Sequence, residues 1–227
     1  RRKLFMRLTL INGSPRGLAS NTLLLLEEFA KGYKSVSNEE INIITLKKLK
    51  SAEEQKSAFE NAQILIIGFP LYTDAMPGIV KEFFENIAPF TETKNNPELG
   101  FIVQSGFPEA VHSTFVEKYL EKLTYRFNTK YLGTAIKGGV EGIKIQPNWM
   151  TKSTFLHFYE LGAKFAEKQV FDKEIVQKLR TPMQLSASQR TMYSLMRHFG
   201  LTNWYWDHQL KKNKVFEQRF ARPYTKS

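Results

Sequence analysis

The sequence predicts a doubly wound α/β domain, a five-stranded parallel sheet between two layers of helices, followed by a C-terminal helical extension. Three observations predict it. Short apolar runs of strand length alternate with helical stretches five times along residues 4–171. The run Gln63–Phe69 is apolar almost throughout, as a parallel strand covered on both faces must be. The segments after the first, third and fourth runs are rich in Gly, Ser, Pro and Asn, the composition of ligand-binding loops at the carboxyl edge of such a sheet.

Taken in order, Leu4–Asn12 reads as the first strand and Asn21–Tyr33 as the first helix, ending near Gly32. Ile41–Thr45 is the second strand after a polar connection. Ser51–Ala62 is a charged helix that offers Ala52, Phe59 and Ala62 to the sheet. The third strand, Gln63–Phe69, stops at Pro70. A third helix runs from Met76-Pro77 to Ile87, with Ile79, Val80, Phe83, Phe84 and Ile87 at helical spacing. Phe101–Ser105 and Tyr131–Lys137 are strands four and five, with a long helix, Pro108–Arg126, between them. A Gly-rich loop follows at Gly138, and Thr151–Phe171 makes a fifth helix. A boundary falls between Lys173 and Pro182, dividing a domain of residues 1–175 from an extension of residues 176–227. The extension reads as two helices, Ser186–Phe199 and Trp204–Phe220.

Composition limits the chemistry. The chain has 227 residues, 42% hydrophobic, enough for one sizeable core. No window approaches the roughly 20 apolar residues of a membrane span, and no apolar stretch follows Arg1-Arg2-Lys3 as in a secretory signal. The expected compartment is the cytoplasm. With no cysteine, the chain has neither disulfide, nor thiolate nucleophile, nor cysteine-ligated cluster. The four histidines lack the spacing of a metal site, so no metal ligand set is expected. The formal charge of +11 is concentrated at the end. Lys173–Ser227 holds 11 Lys/Arg against 3 Asp/Glu. A basic surface attracts nucleic acid, anionic lipid or an anionic substrate, but is more often a solvated face, and nucleic acid is not the expected partner.

The loop after the first strand reads I-N-G-S-P-R-G-L-A-S-N-T. Its last residues open a helix, whose first amides have no intrahelical acceptor and which carries a partial positive charge. Ser20 is the expected N-cap, Ser14, Asn21 and Thr22 offer further donors, and Arg16 a charge-assisted fork. That set suits a phosphate. It has neither the Lys-Ser/Thr of a nucleotide P-loop nor a G-x-G-x-x-G fingerprint. Taken alone, the segment also fits an ordinary Gly-Ser-Pro turn. With the strand order 2-1-3-4-5, two more loops reach the same edge: Pro70-Leu71-Tyr72-Thr73-Asp74-Ala75-Met76-Pro77-Gly78, with a flat aromatic and several free amides, and Gln104-Ser105-Gly106-Phe107-Pro108-Glu109.

Together, I-N-G-S-P-R-G-L-A-S-N-T, P-L-Y-T-D-A-M-P-G-I-V-K-E-F-F-E and Q-S-G-F-P-E, in this order at three strand ends, resemble the NAD(P)H-dependent FMN reductase and quinone reductase branch of the flavodoxin-like superfamily. The likeness spans about Leu4–Phe171. It implies a three-layer flavodoxin-like fold, FMN as cofactor, NAD(P)H as co-substrate, a quinone, flavin or other small electron acceptor, and a homodimer. It places Ser14, Arg16, Ser20, Asn21 and Thr22 on the FMN phosphate. Pro70, Leu71, Tyr72 and Thr73 would border the isoalloxazine, with Ser105, Gly106 and Phe107 at its other edge. No catalytic side chain is implied, since the flavin carries the chemistry and main-chain donors of the Tyr72 and Gly106 loops steady its charge. Asp74 is either a polarising group or a turn former, and Tyr72 either a stacking or a packing residue. A non-enzymatic electron carrier or a basic interaction module is the competing reading. Flavodoxin carriers, however, tend to be acidic and this chain is basic.

Overall fold

The computed structural model describes residues 8–88, 96–198, 200, 203–222 and 224. By contacts the chain forms two compact units, Arg1–Gln184 and Leu185–Ser227.

In the first unit, strands β1 (Leu8–Asn12), β2 (Ile41–Thr45), β3 (Ile64–Pro70), β4 (Glu98–Gln104) and β5 (Tyr131–Lys137) form one parallel sheet in the expected order β2-β1-β3-β4-β5. Successive strand residues point to opposite faces, and the apolar runs fill both. Leu8, Leu10, Ile64 and Ile66 join one core cluster, whereas Ile11, Leu65, Ile67 and Phe69 join the other. Helices α1 (Asn21–Lys34), α5 (Asn148–Lys168) and α6 (Lys173–Leu179) cover the first face. The second lies under α2 (Ala52–Glu60), α3 (Gly78–Ile87) and α4 (Thr114–Arg126). Phe29, Phe158, Phe165, Phe83 and Phe101 are fully buried, each contributing about 2 kcal/mol by removal from water.

The most intimate packing is between α1 and α5, and sequence sets it through two glycines. A Cβ on Gly32 would lie 1.8 Å from the Tyr159 carbonyl oxygen, and one on Gly162 would lie 1.9 Å from that of Phe29. Without side chains at those positions the two backbones touch. Phe29, Phe165 and Phe171 then pack edge against face around the crossing.

Several boundaries depart from expectation for local reasons. The expected start of the first strand at Leu4 lies outside the described residues. Strand β4 begins at Glu98 rather than Phe101, because parallel pairing to β3 starts at Ile64. The segment expected as one helix from Pro108 is a 3-10 turn at Ala110–Ser113 before α4, since the Ala110 and Val111 amides donate to the Pro182 and Met183 carbonyls at 3.0 and 3.1 Å. Helix α5 starts at Asn148, directly after Pro147, and ends where Gln169 turns left-handed at φ 54°. Helix α6 was not expected. Its N-cap Asp172 accepts hydrogen bonds from the Glu174 and Ile175 amides.

The second unit holds α7 (Ala187–His198) and α8 (Trp204–Lys212). Ser186 and Gln189 cap the start of α7 reciprocally, the Gln189 amide donating to Ser186 Oγ and the Ser186 amide to Gln189 Oε1. The helix expected to run to Phe220 stops at Asn213, because Lys214 takes φ 58°, and only a 3-10 turn, Phe216–Gln218, follows.

Candidate functional site

The carboxyl ends of β1, β3, β4 and β5 meet in one crevice. Asn12, the last residue of β1, organises the first loop. Its buried amide donates from Nδ2 to the Gly17 carbonyl at 2.9 Å, and its Oδ1 accepts from the Ser14 amide and from Ser20 Oγ, both at 3.2 Å. A buried amide must find such partners. Gly13 is required because a Cβ there would lie 2.5 Å from Val80 Cγ2, and Gly17 adopts φ 59°. Ser20 is the N-cap of α1, accepting from the Leu23 amide at 3.1 Å.

The other side chains of this loop hold neighbouring elements. Asn21 Nδ2 donates to the carbonyls of Val140 and Glu141 at 2.9 and 3.1 Å, tying the loop after β5 to the start of α1. Thr22 Oγ1 accepts from Gln104 Nε2 at 3.3 Å, linking it to β4. The first-turn amides of Asn21 and Thr22 have no acceptor within the helix, as at any helix start. Arg16, half exposed beside them, pairs with Glu141 at 2.9 Å.

The loop after β3 closes on itself. The Tyr72 amide donates to the Ala75 carbonyl and the Ala75 amide to that of Tyr72, with Thr73 and Asp74 at φ 48° and 61°. This is a two-residue turn with both central residues left-handed, a conformation that disfavours β-branched Thr73. Asp74 therefore serves as a turn residue. The Leu71 amide donates to the Gln104 carbonyl at 2.7 Å, and Tyr72, 43% exposed, stands at the mouth.

The loop after β4 is laced to the loop after β5. The Val140 amide donates to the Ser105 carbonyl, while the Gly139 amide and Ser105 Oγ both donate to the Phe107 carbonyl. The Gly106 and Phe107 amides have no acceptor among the described residues. The Phe107 ring is 62% exposed and lies 4.9 Å from the His112 ring, whose Nε2 is 3.6 Å from Glu109. At the end of β5, burial lowers Lys137 below the ordinary ammonium range, and its Nζ reaches the Thr181 carbonyl at 3.4 Å.

Of the residues expected from sequence, Ser14, Arg16 and Asn21, Pro70, Leu71 and Tyr72, and Ser105 and Gly106 line this one crevice. Ser20 and Thr22 stand behind it with committed side chains. Thr73 shapes the turn, and Phe107 lies outside the lining. Asn12, Gln104 and Glu141 are the residues sequence reasoning missed. For Asn12 a signal existed, an amide ending an apolar strand, whereas Glu141 acts from more than a hundred positions away. As it stands the crevice holds only about 40 Å³, against the roughly 300 Å³ or more of an ordinary small-molecule site. Glu141 narrows it: a Cβ on Gly106 would meet Glu141 Cβ at 3.4 Å. A larger concavity of about 840 Å³ lies against β2 and α2, but Glu40, Glu53 and Glu54 line it and repel anions.

A family model described as a flavodoxin-like fold matches residues 6–136, more than half of the chain. The chain belongs to that flavodoxin-like family. Solved structures share its fold at low identity. An azoreductase from Bacillus anthracis str. Sterne superimposes with a TM-score of 0.54 at 16% identity, covering 72% of this chain and 99% of its own. An NAD(P)H:quinone oxidoreductase from Methanothermobacter marburgensis gives 0.56 at 13%, covering 70% and 97%. An FMN-dependent NADH-azoreductase from Bacillus anthracis str. Ames Ancestor, in complex with FMN, gives 0.53 at 21%, covering 71% and 99%. No curated protein matches the chain. At these identities the likeness is one of fold.

Proposed function

We propose that this flavodoxin-like protein is an FMN-dependent NAD(P)H oxidoreductase that passes a hydride from a nicotinamide to a quinone, flavin or other small acceptor. It would act as a homodimer in the cytoplasm, with residues 1–175 holding the flavin. The observation that carries the reading is the convergence of three strand-end loops on one crevice: a helix start with Arg16 on one side, and the turns of Tyr72 and Gly106 on the other. The donor set fits FMN. First-turn amides, Ser14 and Arg16 suit a phosphate dianion, while the orphan Gly106 and Phe107 amides suit the polar edge of a heterocycle.

FMN, when bound, would supply two-electron acceptance from the nicotinamide and its transfer onward. The protein's share is binding and orientation. Arg16 and the amides of Asn21 and Thr22 would hold the phosphate, with Ser20 and Thr22 side chains fixing that helix start from behind. Pro70, Leu71 and the Tyr72–Ala75 turn would border one edge of the ring, and the Ser105–Phe107 loop the other. The Gly106 and Phe107 amides would offer hydrogen bonds to a polar, negatively charged edge of the ring, from a loop already laced to its neighbour. Glu141 must release Arg16 for the phosphate to take its place.

The test is a visible absorption spectrum of the purified protein after FMN addition, then NADPH without oxygen. The expected result is a protein-bound yellow colour that NADPH bleaches. Bound FMN that NADPH and NADH leave oxidised supports the carrier reading instead. A protein that takes up no FMN contradicts both.

A further inference from the structure

In the C-terminal unit, α7 presents an apolar face that is largely exposed among the described residues. In α7, Met192, Leu195 and Met196 share one side by their spacings of three and four, with Tyr193 at its margin. Met192 is 53% and Leu195 58% exposed, and no residue of α7 is buried. Arg190 and Arg197, seven positions apart, stand together on the polar side of the helix beyond Tyr193, where Arg190 Nε donates to the Leu185 carbonyl at 3.0 Å. Beyond α8, Phe220 is 82% exposed, and the Arg219 guanidinium lies 4.0 Å from the centre of the Phe216 ring and 4.9 Å from that of Phe220. Lys211 Nζ stands 4.8 Å over Phe216. Exposed rings and cations are thus interleaved. Residues 185–227 carry eight Lys/Arg against two Asp/Glu.

We propose that this unit docks on an anionic lipid surface, with the Met192–Leu195 face of α7 laid into the headgroup boundary. A short helix with a sharp apolar face, a polar face bearing Arg and low overall hydrophobicity partitions in the plane of a bilayer rather than across it. No helix among the described residues is long and apolar enough to cross one. Exposed Trp206 and Tyr193 are of the type that settles at headgroup depth. Charge decides between occupants. A second copy would set one strongly basic unit against another, and a nucleic acid would use the cations but leave Met192 and Leu195 in water. An anionic bilayer satisfies both features together. The inference stands apart from the flavin reading.

The test is flotation of the full chain with vesicles of phosphatidylcholine alone and of phosphatidylcholine mixed equally with phosphatidylglycerol. The expected result is binding to the mixed vesicles only, weakening with salt. Leu195→Glu removes no buried contact, and it should lower partitioning about tenfold or more with unchanged circular dichroism. Lys211→Glu should lower it roughly fivefold or more. Failure to float with mixed vesicles overturns the proposal. So does equal binding to both vesicle types, or binding indifferent to Leu195→Glu. In a protein that ignores vesicles, concentration-dependent self-association abolished by Leu195→Glu would assign the face to a second copy, and duplex DNA binding indifferent to Leu195→Glu would assign the cations, without the face, to nucleic acid; either result overturns the proposal.

Discussion

Asn12 and Glu141 act on the same loop from opposite sides. Asn12 holds its backbone through two hydrogen bonds and the Ser20 hydroxyl through a third, and Glu141 occupies its cation. A carboxylate this close to a phosphate position opposes the dianion by a few kcal/mol at most in a partly exposed site. Glu141→Gln should therefore tighten FMN binding roughly tenfold, measured by quenching of flavin fluorescence. Weaker binding would make Glu141 a ligand contact rather than a competitor. Strain is the other residue-scale feature. Thr73 is β-branched and left-handed, so Thr73→Gly should raise unfolding stability by about 1 kcal/mol, read from denaturant midpoints. An unchanged or lowered midpoint would show that the turn is not strained. Asn12 was legible as a polar end to an apolar strand. The bond from Asn21 to the Val140 and Glu141 carbonyls was not, because sequence supplies a donor without saying which distant carbonyl the topology brings to it.

Among elements, those whose signal is local were the ones sequence resolved best. Strand β5 spans the expected residues, and β3 differs by a residue at each end, since continuous apolar runs bounded by turns leave little choice. Helix α6 was missed because seven residues give too little periodicity. Its start rests on Asp172, whose carboxyl is pushed up by burial but held below the usual carboxylate range by the Ile175 amide and the Lys168 and Lys164 ammoniums, which outweigh it. A depressed carboxyl contributes stability above its unfolded value and loses it as pH falls through the folded one. Asp172→Ala should accordingly cost about 1 kcal/mol at neutral pH, and less once the native carboxyl is protonated. An equal cost at both pH values would refute the charge account. At the α1–α5 crossing, Gly162→Ala should destabilise by about 3 kcal/mol or more, because the backbones must part. Gly78→Ala, at the open start of α3 with nothing within 4 Å, should stabilise slightly. Equal effects would mean the crossing yields easily.

At the scale of the whole molecule, the flavodoxin-like unit brings β1, β3 and β4 side by side at the sheet's centre, where strand order reverses and loops from both directions share an edge. Three phrases separated by dozens of residues were readable as one site only because that topology gathers them. The basic unit after Gln184 follows no βα pattern; its sequence announced two helices and an excess of cations, but not how far Met192 and Leu195 stay exposed. In the proposed flavin site, the start of α1, with Arg16, grips a phosphate while the next two loops hold a flat ring. Equilibrium titration of the protein with FMN and with riboflavin, identical but for the phosphate, tests it most directly. Two or three charge-assisted hydrogen bonds are worth about 3 kcal/mol or more, so FMN should bind at least roughly a hundredfold tighter, and Arg16→Ala should narrow that gap. Equal affinity for the two flavins, or affinity for neither, would contradict it.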